Sequence, residues 1–181
     1  KRQGESMYAK LCTFFLIQGI IKDLLPHDSS GKPVPNYNCN ITISHSGSYS
    51  LLCISSRNIN CGIDIQLIDK KLKLGWFNQE LITEENCLKR HPEKFFIMTS
   101  FKESLGKFLG LGLLADKSIF AIASIKVFDY SKEQFYQVSF ANFPTLMGVG
   151  FLKNDYVVSI VITKNDFPSF INYLRELKNE L

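Results

Sequence analysis

One stretch constrains the fold of this chain more than any other: Thr99 to Leu113, TSFKESLGKFLGLGL. Phe101, Leu105, Phe108 and Gly112 recur at i, i+4, i+7 and i+11, the spacing of one apolar stripe on an α-helix. Glu103 and Lys107, four residues apart, share a different face of the same helix. Gly106 and Gly110 interrupt good helix formers, and each costs up to ~1 kcal/mol relative to alanine. Close approach of another backbone or of a ligand is the usual reason for such a cost. The plain reading of an isolated Glu/Lys pair at this spacing is an exposed surface ion pair. The other is a carboxylate and an ammonium, one turn apart, that hold a metal ion and a phosphate together.

Around that helix the chain reads as α+β. The apolar run Leu11 to Ile21 follows Lys1, Arg2 and Lys10, as a signal peptide would. It is interrupted by Gln18 and Gly19, is too short to span a bilayer and lacks a small-x-small cleavage site. It is expected to be a core helix, with Met7, Leu11, Phe14 and Ile21 on its buried side and Pro26 ending it. Lys1-Arg2, with no initiator Met and already inside this pattern, predicts that the numbering starts within a longer protein. His27 to Asn38 is turn-rich and expected to be loop. Cys39 to Ile54 alternates well enough for two strands about the turn Ser46-Gly47-Ser48, and Cys61 to Ile68 is a third strand.

Asp69 to Lys73 is a charged hinge, and Trp76 to Arg90 reads as irregular structure leading to a short helix near Thr83, with Pro92 as a break before the central helix. Strands are then expected at Ile119–Phe128, Gln134–Phe140 and Tyr156–Thr163, the last a β-branched run, and an amphipathic helix at Asp166–Leu181 through Phe167, Phe170, Ile171, Leu174 and Leu177. No repeat of roughly 20–50 residues is visible, but helix-then-strands occurs twice, as two similar α+β halves would require.

Composition excludes more than it assigns. At 181 residues, 45% hydrophobic and 21% charged, the chain has a globular composition. A net charge of +4 suits an anionic ligand or an acidic protein partner, but no basic run with interleaved aromatics points to nucleic acid. The five cysteines form no CxxC pair. A reducing cytoplasm, with most of them buried as small hydrophobes, is the simplest account.

Two further places carry chemistry. In Gly62-Ile63-Asp64-Ile65-Gln66, Asp64 and Gln66 point to one face of a strand while Ile63 and Ile65 point to the other. An Asp inside an apolar strand is unusual, and a buried carboxylate needs a metal, a cation or several donors. A strand-end Asp accepting backbone N–H bonds is the bland alternative. With Glu103, Asp64 would make a hard-cation site of the kind Mg²⁺ takes, one or two carboxylates with water and substrate phosphate. In Ile43-Ser44-His45-Ser46-Gly47, two hydroxyls, an imidazole and the backbone amides of a turn suit a phosphate. Ser44 or Ser46 as a hydrolase nucleophile lacks a G-x-S-x-G setting. His27 and His91 show no zinc spacing.

Together these pieces resemble one family. Gly31-Lys32-Pro33, ISHSG at Ile43–Gly47, GIDIQ at Gly62–Gln66 and FKESLGKFLGLG at Phe101–Gly112 occur in the order and rough spacing seen in 4′-phosphopantetheinyl transferases of the larger, surfactin-synthetase-activating type. The resemblance spans about Gly31 to Leu114, and KES-x-x-K-x-x-G with an upstream GID is its specific part. It implies a pseudo-dimer of two similar α+β halves, 1–59 and 60–181, with the first half incomplete at its start and the active site at their junction. It implies that Asp64 and Glu103 bind Mg²⁺, that Lys107 neutralises the pyrophosphate of coenzyme A, that Ser44 and His45 contact coenzyme A phosphates, and that Lys32 with Gly31 lies near its nucleotide end. Arg2 is a loosely anchored match to a basic residue early in the first half.

Gln66 departs from the pattern. Many members carry an acidic residue there, and a glutamine offers a carbonyl but no charge. The implied activity is Mg²⁺-dependent transfer of 4′-phosphopantetheine from coenzyme A to a serine of an apo acyl or peptidyl carrier protein, by a cytoplasmic monomer, with Glu103 as the general base. The alternatives are a coenzyme A-binding module with weak or lost transferase activity, for which Gln66 is the motive, and a structural α+β domain with chance motif matches.

Overall fold

The computed structural model describes residues 9–15, 29, 39–68, 92–111 and 116–181. Within them the chain is α+β, with two antiparallel sheets and two helices. The smaller sheet has the order β1 (Ala9–Phe15), β3 (Tyr49–Ser56), β2 (Cys39–Ser46). The larger has the order β4 (Gly62–Leu67), β8 (Tyr156–Thr163), β7 (Leu146–Lys153), β6 (Glu133–Phe140), β5 (Ile122–Tyr130). Helix α1 runs Pro92–Leu109 and helix α2 Phe167–Glu180.

The larger sheet is covered on both faces, and alternation along its strands sorts the core into two. On β8, Val158, Ile160 and Ile162 join Ile63 and Ile65 of β4 against Phe170 and Leu174 of α2, together with Leu51 and Cys53 of β3. Val157 and Val161 face the other way, toward Phe101 and Leu105 of α1. Because β8 is buried on both faces, its sequence YVVSIVIT is an almost unbroken apolar run. The polar residue in that run, Ser159, faces α1, where its hydroxyl meets Ser100 Oγ at 2.8 Å and Ser104 Oγ at 2.7 Å. Buried hydroxyls are satisfied by one another here.

Several expectations need correction. Ala9–Phe15 is a strand, not the start of a core helix: its backbone pairs antiparallel with β3 from Ala9↔Ser55 to Phe15↔Tyr49. A short apolar run fits either element, and the open edge of β3 decides it. The rest of that expected helix, Met7 and Leu16 to Ile21, lies outside the described residues, as do residues 27–28 and 30–38 of the loop, the charged hinge and the short helix near Thr83. Pro92 opens α1 rather than preceding it; proline is favoured at the first helical position, where its missing N–H is not needed.

Ile119 belongs to a 3₁₀ turn, Lys117–Phe120, whose Ser118 N–H is held by the Asp116 carboxylate at 2.8 Å, so β5 begins at Ile122. Strand β7 was not expected, since Gly148 and Gly150 dilute its pattern. Those glycines make room for Phe101: a Cβ on Gly148 would lie 2.6 Å from its ring.

Hairpin β5–β6 turns through Ser131 and Lys132, both in the left-handed region at φ 50° and 69°. Two-residue hairpin turns of this hand favour Asn-Gly, and a non-glycine residue there costs ~1 kcal/mol. The double substitution Ser131→Asn with Lys132→Gly is expected to raise stability by about 1 kcal/mol, read as an increase in the urea midpoint.

Candidate active-site cleft

Helix α1 and strand β4 are held in unusually close contact at Gly62. A Cβ there would collide with the Ser104 carbonyl oxygen and the Phe108 amide of the helix. A glycine that permits close approach is therefore on the strand, at Gly62, and no neighbour crowds Gly110 of the helix. Gly110 has another use. At φ 69° it ends α1 in a Schellman motif, with Leu111 N–H donating to Gly106 O (3.1 Å) and Gly110 N–H to Lys107 O (3.3 Å). Asn60 completes the junction by donating from Nδ2 to Phe108 O at 2.9 Å.

This contact carries one face of β4 onto the exposed flank of α1. A cleft of about 350 Å³ results, lined by Asp64 and Gln66 from β4, Glu103 and Lys107 from α1, and Ser44 and His45 from β2. Six residues singled out in the sequence thus meet in one place. Lys32, Gly31, Arg2 and Gly112 lie outside the described residues.

Strand β2 reaches the site without pairing to β4 through its backbone. Its serines do the work instead. Ser44 Oγ accepts from Ile65 N–H at 3.2 Å, and Ser46 Oγ accepts from Leu67 N–H at 2.9 Å. Two donors on the free edge of β4, two residues apart, are matched by two hydroxyls at the same period on β2. Ser46 was not assigned this part in advance, although its i, i+2 spacing from Ser44 is visible in ISHSG.

The charges are arranged unevenly. Asp64 is buried, and its Oδ1 accepts both Ser44 Oγ (2.7 Å) and Lys107 Nζ (2.9 Å). Lys107 therefore pairs across the cleft to the strand. Asp64 Oδ2 and Gln66 Oε1 are buried with no hydrogen-bond partner. Two orphaned acceptors in one cleft each carry a desolvation cost of ~1–3 kcal/mol. Glu103 is pushed up to about 7, first by burial and then by the negative charge of Asp64, with Lys107 pulling the other way and a hydrogen bond from the protonated carboxyl to Asp64 adding to the rise. Burial and a like charge both disfavour a carboxylate, and a cation placed between the two would relieve both.

The donor set suits a hard cation: two carboxylates and an amide carbonyl, all oxygen. It includes no third acidic ligand, and among the described residues no group of three or more His, Cys, Asp or Glu side chains is placed to hold a metal. The two cysteine side chains described, Cys53 and Cys61, are buried beneath β3 and β4, their sulfurs 3.2 Å apart. Among the described residues no helix is long and apolar enough to cross a membrane.

Lys107→Met removes one of the two donors on a buried carboxylate. It is expected to cost about 1–3 kcal/mol, and the double variant Asp64→Asn with Lys107→Met less than the single one, since no buried charge is then stranded. A double-mutant cycle by urea denaturation reads the difference.

No protein-family model matches the chain. A search of curated proteins finds no match either.

Proposed function

We propose that this cleft binds the pyrophosphate of coenzyme A and that the protein transfers 4′-phosphopantetheine to a serine of an apo acyl or peptidyl carrier protein. The observation that carries the reading is the meeting of Asp64, Glu103 and Lys107, from segments about forty residues apart, beside Ser44 and His45. It supports the roles that the motif resemblance implies for Asp64, Glu103 and Lys107. The reading includes a pseudo-dimer of two α+β halves, 1–59 and 60–181, and a cytoplasmic monomer as the working unit. In favour of the junction, β2 supplies one wall of the cleft and β4 with α1 the other.

Asp64 and Glu103, with Gln66 Oε1, would hold Mg²⁺; the two orphaned acceptors fit that role. When bound, the ion would offset the negative charge of the pyrophosphate. Lys107 uses one ammonium proton on Asp64 and has two left for phosphate oxygens. Glu103, directly or through a water, would take the proton from the attacking serine hydroxyl. The serine oxygen bonds to the β-phosphorus of coenzyme A, the bridging P–O bond breaks, and 3′,5′-ADP leaves with that electron pair. His45, exposed at the cleft, would contact coenzyme A phosphates, and Lys32 would lie near the nucleotide end.

A second reading rests on Gln66, which leaves the site one negative charge short: a module that keeps coenzyme A and turns over poorly or not at all. Calorimetric titration with coenzyme A in Mg²⁺ tests what both readings share. Binding that requires Mg²⁺ and weakens in Lys107→Met is expected; no binding overturns both. Retained binding without modification of any carrier selects the second.

A further inference from the structure

We propose that Ser44 is a positioning residue for the Asp64 carboxylate, and that it decides which of the two carboxylate oxygens is offered to a divalent cation. The inference rests on the proposed divalent-cation role of Asp64 and departs from the phosphate contact that the motif resemblance implies for Ser44.

The hydroxyl of Ser44 is fully committed within the protein. It is buried, donates its single proton to Asp64 Oδ1 at 2.7 Å, and accepts from Ile65 N–H at 3.2 Å. A hydroxyl has one proton to give, so none is left for a phosphate oxygen. The same proton, together with Lys107 Nζ, occupies Oδ1 and leaves Oδ2 buried without a hydrogen-bond partner, as is Oε1 of Gln66 in the same cleft. Lys107 alone would not fix the carboxylate, since its ammonium sits on a flexible stem that is partly exposed. Ser44 is fixed by the register of β2 with β3, Ser44↔Leu51, and by the Ile65 amide. The second-layer hydrogen bond thus comes from the other sheet, and through it the small sheet sets the orientation of a ligand on the large one. Partners of this kind change metal affinity by about 10–100-fold.

The test is Mn²⁺ binding by calorimetry in the absence of coenzyme A, on wild type, Ser44→Ala, Ser44→Thr and Ser46→Ala. Ser44→Ala is expected to weaken Mn²⁺ about tenfold or more, and Ser44→Thr, which keeps the hydroxyl, to restore it. Ser46→Ala loses an anchor of the same kind to β4, through Leu67 rather than Asp64, and is expected to stay within about twofold of wild type. Where Ser44→Ala does not fold, Ser44→Cys carries the same expectation, with its volume kept and its donor weakened.

In the transfer assay Ser44→Ala should raise the Mg²⁺ concentration needed for half-activation while leaving the KM for coenzyme A within about twofold. Wild-type affinity in Ser44→Ala, or equal weakening in Ser44→Ala and Ser46→Ala, overturns the assignment and leaves the proposed function standing. A raised KM for coenzyme A with unchanged Mn²⁺ affinity returns Ser44 to the phosphate. A wild type that takes up no Mn²⁺ overturns both.

Discussion

Glu103→Gln is expected to lower carrier-protein modification by about 10²–10⁴-fold, the range a positioned general base supplies, with the fold retained. The side chain keeps its size and its half-buried place near Asp64 and Lys107, and loses the ability to accept a proton and to bring charge to a cation. A second readout separates this from simple misfolding. In metal-free protein the Glu103 carboxyl is raised from an ordinary 4.5 to about 7. The folded state therefore binds more protons than the unfolded one between those values, and stability falls as pH rises from about 4.5 to about 7. Glu103→Gln should remove that part of the decline, so its melting temperature overtakes that of wild type above neutrality. A variant that retains wild-type transfer removes Glu103 from the mechanism, and an unchanged pH slope denies its unusual proton affinity.

Gly62→Ala is expected to be strongly destabilising. The new Cβ meets backbone on the helix side, the Ser104 carbonyl and the Phe108 amide, so no side chain can swing away to admit it. Strand β4 and helix α1 must separate, at a cost of about 3 kcal/mol. Because that contact also carries Asp64 to Lys107 and Glu103, whatever folded protein remains should bind cations poorly. Chemical denaturation with a loss under about 0.5 kcal/mol would contradict the backbone contact.

The residues that line the candidate cleft were more legible in the sequence than the frame around them. Asp64, Glu103 and Lys107 were legible because each is chemically out of place: an acid in an apolar strand, and a charged pair in a glycine-bearing helix. Their partners were not. Nothing local to Glu103-x-x-x-Lys107 says that the lysine reaches a strand 43 residues upstream, because tertiary packing selects among acceptors that the sequence presents as equal.

Strand β8 and helix α2 were legible from unbroken or strictly periodic apolar patterns. Strand β1 was misread, since seven residues of AKLCTFF satisfy either period and only the vacant edge of β3 arbitrates. Strand β7 escaped because Gly148 and Gly150 serve a neighbour, the ring of Phe101, rather than the strand itself. Gly110 misled in the complementary way. Close approach was the right principle and Gly62 shows it, but Gly110 is a helix cap.

The proposed transfer has one direct measurement. The protein is incubated with coenzyme A, Mg²⁺ and a panel of apo acyl and peptidyl carrier proteins, and each carrier is then weighed by mass spectrometry. At least one carrier should gain a single phosphopantetheine at its serine, with 3′,5′-ADP released in equal amount and no gain when Mg²⁺ is chelated. Carriers that all keep their apo mass under conditions where a known transferase modifies them would contradict it.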